Sequence, residues 1–121
     1  MKQLFLTLLY CCCAATLLPA QIQAGNDILG EEAGDKSGFS VALSGDGSRI
    51  VIGAPSHDGE WTLSGQARVM EYRNGTWEQL GSALKEPFGF ADQQGFAVDI
   101  SDDGNRVVTG LPGYFEINPA R

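Results

Sequence analysis

Short alternating runs dominate the chain. Phe39, Val41 and Leu43 are apolar and are separated by Ser40, Ala42 and Ser44, the period of two expected of a half-buried strand. Gly45-Asp46-Gly47 follows and suits the φ > 0 positions of a hairpin turn. Arg49 to Ile52 is rich in β-branched residues and predicts the returning strand. Gly53-Ala54-Pro55 should stop it, because Pro55 has no N–H to give to a ladder. Gln66 to Tyr72 predicts a third strand, in which Ala67, Val69 and Glu71 alternate with Arg68, Met70 and Tyr72. Asn74-Gly75 is a strong two-residue hairpin signal, and Thr76 to Leu80 reads as the fourth strand. No stretch from Gly25 to Arg121 has a helical period of useful length.

The pattern then recurs. Asp35 to Pro55 (DKSGFSVALSGDGSRIVIGAP) and Asp92 to Pro112 (DQQGFAVDISDDGNRVVTGLP) align without a gap at an offset of 57. Asp35/Asp92, Gly38/Gly95, Phe39/Phe96, Val41/Val98, Ser44/Ser101, Asp46/Asp103, Gly47/Gly104, Arg49/Arg106, Gly53/Gly110 and Pro55/Pro112 are identical pairs. Gly25 to Ile28 also corresponds to Gly81 to Leu84, with one residue of slippage. The expected organisation is a signal peptide at 1–24, a first repeat at 25–81 and a second, truncated repeat at 82–121. Four short strands per repeat is the size of one propeller blade, typically about 40 to 50 residues. Blades bury their faces against neighbours, so an isolated pair should be marginal or self-associating.

The N-terminal segment is of another kind. Lys2 gives a short positive region, and Leu4 to Leu18 is apolar apart from Thr7 and Thr16. Cleavage is expected after Ala20 or Ala24. The apolar run is short of the ~20 residues a spanning helix needs, so no membrane span is expected after cleavage. Cys11, Cys12 and Cys13 all lie inside it, which leaves the rest without a disulfide framework. The expected location is therefore secreted, extracellular or cell-surface.

Composition narrows the partners. The chain of 121 residues has 8 basic and 15 acidic side chains, a net charge of −7, which argues against nucleic acid. With hydrophobic residues at 43%, it is not a disordered acidic tail. The 16 glycines fit many tight turns.

These residues resemble the FG-GAP repeat, the unit of the integrin alpha-chain β-propeller and of many secreted bacterial and algal proteins. Gly38-Phe39 and Gly95-Phe96 stand at the "FG" element, in the order Gly then Phe. Gly53-Ala54-Pro55 is a full "GAP", and Gly110-Leu111-Pro112 departs from it at the middle residue. Ser40 to Gly47 and Trp77 to Gly81 are similar to a subtype with Ser-Val-Ala-Leu-Ser-x-Asp-Gly and Trp-x-Gln-Leu-Gly. The resemblance implies an all-β fold, a partial β-propeller of about one and a half four-stranded blades.

It also raises calcium as the one cofactor to consider. Calcium-binding members carry D-x-[DN]-x-[DN]-G-x-x-D, whose alternate oxygens ligate the ion while Gly turns the chain. In the second repeat that frame falls on Asp99, Ser101, Asp103, Gly104 and Val107, a degenerate loop with three oxygens and no final carboxylate. In the first it falls on Ala42, Ser44, Asp46, Gly47 and Ile50, where only Ser44 and Asp46 remain. Both Asp-Gly pairs also read as plain hairpin turns.

Phe39, Phe96 and Trp77 are expected in the core between blades, whereas Trp61, in the loop-like stretch Ser56 to Ser64, is a candidate for surface contact. Asn74-Gly75-Thr76 is a sequon, so Asn74 is a glycosylation site if the source is eukaryotic. Ser56-His57-Asp58 carries the letters of a hydrolase triad, but adjacency is not triad geometry and His57 is the only histidine. No catalytic residue is expected. The expected function is an exported, non-catalytic binding or adhesion module, with an extracellular protein or carbohydrate as partner. The alternative is a structural fragment of a longer or split propeller without independent activity, completed by downstream blades or as a homo-oligomer.

Overall fold

The computed structural model describes residues 21–59, 62–85 and 92–112. Residues 1–20 of the expected signal peptide, Trp61 and the stretch from residue 113 onward lie outside the described residues. Strands β1 (Ser40–Leu43), β2 (Arg49–Ala54), β3 (Gln66–Arg73) and β4 (Thr76–Gln79) form an antiparallel meander in chain order. Strands β5 (Ala97–Ile100) and β6 (Val107–Gly110) form a second, two-stranded antiparallel sheet. There is no helix among the described residues, so none long and apolar enough to cross a membrane.

The strands follow the alternating runs closely. β2 extends further than its composition suggests: Gly53 and Ala54 still pair with Ala67 and Gln66, and the ladder ends at Pro55. The β3–β4 turn has Asn74 at φ 49° and Gly75 at φ 86°, both left-handed, as a type I′ hairpin requires.

Which face is inside differs from expectation. Alternation in β1 points to Phe39, Val41 and Leu43 as the buried set. Instead Val41 and Leu43 are each 56% exposed and Phe39 is 52% exposed. The face packed on the second sheet is the other one, although Ile52 and Met70, further along the Val41 face, are also buried. The register places Ala42, Val51 and Val69 in one row and Ser40, Gly53 and Ala67 in the next. Against these pack Val98, Ile100 and Val107 of the β5–β6 hairpin, with Val51, Ala67 and Ile100 fully buried. Small residues on this face let the second sheet come close. Each large aliphatic side chain fully buried there is worth about 1.5–3 kcal/mol. Two β-sheets packed in this way are consistent with part of a β-propeller.

The close approach is tightest at Gly53. A Cβ there would overlap the Gly95 carbonyl oxygen, and a Cβ on Gly95 would overlap that of Gln66. Gly95 also adopts φ 83°, and its oxygen accepts a 2.7 Å hydrogen bond from Ser40 Oγ. These glycines serve the contact between two backbones, which no side chain would permit.

Candidate functional site

The β1–β2 and β5–β6 turns share three side-chain hydrogen bonds, to which Ser48 Oγ adds its own to Asp46 in the first. Ser44 Oγ donates to Asp46 Oδ1 at 2.8 Å, and Ser101 Oγ donates to Asp103 Oδ1 at 2.5 Å. The Ser48 and Asn105 amides donate to the same carboxylate oxygens at 3.0 Å. The Arg49 and Arg106 amides donate back to the two serine hydroxyls, also at 3.0 Å. The aspartates thus act as local caps for N–H and O–H groups. Asp46 has its pKa lowered to about 2, chiefly by the Ser48 amide and then by the Ser44 and Ser48 hydroxyls. Asp103 is lowered by the Ser101 hydroxyl and then the Asn105 amide.

Arg49 ties the sheets together. Its Nη1 donates to Gly104 O at 3.0 Å and to Asn105 Oδ1 at 2.9 Å, both in the opposite turn. Its Nε and Nη2 donate to Glu71 Oε1 at 3.2 and 3.0 Å. Arg73 Nε approaches Glu71 Oε2 as well. Glu71 is held below the ordinary carboxylate range, mainly by the Arg49 hydrogen bonds. Beside this clamp, the Gly45 amide donates to Asp102 O at 3.0 Å.

A buried polar cluster lies at the other end of the strands. His57 Nδ1 is 2.8 Å from Asp35 Oδ2, and both side chains are almost wholly buried. Its Nε2 lies 3.8 Å from Glu31 Oε2 and 3.4 Å from Lys85 Nζ. Gln66 Nε2 donates to Glu31 Oε2 at 3.0 Å. The side-chain oxygens of Gln66 and Gln94 are buried without a hydrogen-bond partner among the described residues. The main chain closes the cluster, with Ser56 N donating to Asp35 O and Gln94 N to Ser64 O. Sequence reasoning missed this His57–Asp35 pair, because the residues are 22 positions apart. The only signal was a histidine two residues after the GAP element.

Residues 30–70 match the family model described as FG-GAP repeat. The chain carries an FG-GAP repeat. No curated protein and no solved structure matches it. The matched segment covers β1, β2 and most of β3, with the Asp46 turn and the buried His57–Asp35 pair.

The β5–β6 turn of the second repeat brings Ser101 and Asp103 together, but Asp99 is turned to its own neighbourhood. Its Oδ1 accepts from the Ile100 amide at 2.9 Å. Among the described residues, no group of three His, Cys, Asp or Glu side chains is arranged to hold a metal ion. Phe39 and Phe96 do meet across the repeats, with centroids 4.9 Å apart and planes tilted by 45°. They do so at the surface, with Phe96 43% exposed, and not in a core as their size suggests. The reason is that each follows a Gly at the rim, outside the strand pairing. Trp77 is half-buried against Tyr72 at 5.2 Å, and its Nε1 donates to Ala24 O. Asn74 stands exposed at the tip of its turn, where a modifying enzyme could reach it.

Proposed function

We propose that this chain is an exported, non-catalytic binding or adhesion module, built as part of a β-propeller and offering its loops to an extracellular protein or carbohydrate. The FG-GAP match, followed by a second copy with the same turn chemistry, carries this reading. FG-GAP repeats are typical of extracellular or surface proteins. The His57–Asp35 pair fits a structural role, since burial and the Glu31 and Lys85 side chains surround the ring. Two results test the proposal. Expression in a secreting host should deliver protein to the medium with its N-terminus at Gln21 or Gly25. The same protein, immobilised, should bind one class of matrix protein or glycan saturably. Retention in the cell, or no binding to either class, would overturn it.

A second reading, a structural part of a larger propeller, is favoured by the open apolar face of β1, where Val41 and Leu43 meet solvent. Calcium at Asp99, Ser101 and Asp103 would have to displace the Ser101–Asp103 hydrogen bond. Calorimetry without heat at millimolar calcium removes that ion from the function. Asn74 modification in a eukaryotic host would show as a mass shift on glycosidase treatment.

A further inference from the structure

The contact between the two sheets has two halves, and the two-stranded part of each recurs at the offset of 57. One half is the small-residue face of the first repeat, with Ala42, Val51, Gly53 and the Arg49 clamp, widened by Ala67 and Val69 of β3, which have no counterpart among the described residues. The other is the aliphatic face of the second repeat, with Val98, Ile100 and Val107 beside Gly95. At the offset of 57, the first repeat offers a second aliphatic face: Val41, Leu43 and Ile50 beside Gly38. The second repeat offers a second small-residue face: Ala97, Val108 and Gly110 beside Arg106. These two counterparts are open. Val41 and Leu43 are exposed, and Val108 is 64% exposed.

We propose that copies of this chain join head to tail, the Ala97–Val108–Gly110 face of one copy closing on the Val41–Leu43–Ile50 face of the next. The proposal deepens the partial-propeller reading and rests on it. The joint continues a contact already formed inside the chain.

The backbone carries the complementarity. Gly53 lacks a side chain where Gly95 O must sit, and Gly110 keeps glycine at the same repeat position. Among the described residues, a Cβ on Gly110 would meet only its strand partner Ala97, at 3.5 Å and beyond. Gly38, the counterpart of Gly95, has none of the described residues within 4 Å of where its Cβ would be. At the turns, a Cβ on Gly45 would lie 3.2 Å from Asp102 Cβ and O, a tight approach that a second side chain would make only by pushing Asp102 aside. Head-to-tail joining sets Asp102 of one copy on Gly45 of the next, again one aspartate and one glycine. Arg106 then faces the Gly47–Ser48 turn as Arg49 faces Gly104–Asn105. An open cavity of about 260 Å³ lies along this outer face, lined by Asp99, Ile100, Ser101, Arg106, Val107 and Val108. Two positions of the face depart: Ala97 stands where Ser40 donates to Gly95 O, and Asp99 stands where the first repeat has Ala42, so Asp99→Ala should tighten the joint.

Such a contact uses different patches on each copy, so it closes into a ring or grows as an open chain. Light scattering on the full chain over a concentration series tests it. The expected mass exceeds that of one chain. Leu43→Asp and Val108→Asp, both at exposed positions, should each give a folded monomer with unchanged strand circular dichroism. Mixed in equal amounts, the two variants should form a 1:1 dimer and nothing larger. Each keeps the face that the other has lost. A wild-type monomer at every concentration overturns the proposal. So does a Val108→Asp variant that retains the wild-type mass, because the first-repeat face would then be pairing with itself. Failure to export or to bind a partner would leave these masses unchanged, so the two readings fail separately.

Discussion

Val41 and Leu43 hold the same repeat positions as Val98 and Ile100, yet the first two are exposed and the second two pack against a sheet. Side-chain chemistry is almost the same in the two sets. What differs is the neighbour: the second set has the Ala42–Val51–Ala67 face in front of it. Burial in a repeat protein is thus a property of the contact between units as much as of the unit. The contrast also shows why the alternating pattern misleads at β1. A period of two says that the faces differ, and it leaves open which face finds a partner inside the chain.

The sharpest way to break this comparison is to truncate both members of one pair. Ile100→Ala should cost about 2–5 kcal/mol in urea unfolding, since it empties a core position. Leu43→Ala should cost under about 0.5 kcal/mol in a monomeric background such as Val108→Asp, as is usual for exposed sites. Equal losses would mean that the first-repeat face is covered after all. A smaller effect is expected from the glycines. Gly53→Ala forces its Cβ into Gly95 O and should lose about 1–3 kcal/mol, whereas Gly110→Ala should be nearly neutral in that background. Melting curves of the two variants, compared side by side, check this.

The arginines come next. Arg49→Ala removes the bonds to Glu71, Gly104 and Asn105 and should cost about 1 kcal/mol, discounted for partial exposure. Arg106→Ala, at an exposed counterpart, should leave the same unfolding midpoint unchanged in the monomeric background. The smallest effect is that of acid. The folded pKa of Asp46 lies below its ordinary 3.8, so its contribution is complete above that value and is lost as pH falls towards about 2. Asp46→Asn should therefore flatten the decline of the urea midpoint between pH 4 and pH 2. Asp103, lowered for the same reason, should act in the same direction. An unchanged slope in Asp46→Asn would show that other groups govern the acid limb.

Much of this was legible before any coordinates. The strand order, the Asn74–Gly75 turn and the repeat follow from local chemistry: alternation, β-branching and residues that accept positive φ. The aspartate turns were legible as turns too, because Ser44, Asp46 and Arg49 act within five residues of one another. The His57–Asp35 pair and the Arg49 bridge to Asn105 were not, since their partners are brought together by chain reversal over 22 and 56 positions. The aromatic rings were misplaced for a related reason. Size argues for burial, while Phe39 and Phe96 sit outside the ladder where only each other and solvent are at hand.

By itself, the sequence determined an all-β chain of FG-GAP type with two copies of one turn, because those features depend on residues close along the backbone. Only the tertiary structure decided which face of each sheet is covered, which glycine another backbone crosses and which charges are shared. Those outcomes depend on how closely two separate stretches of chain approach, a distance set by the small residues on one face and the branched ones on the other.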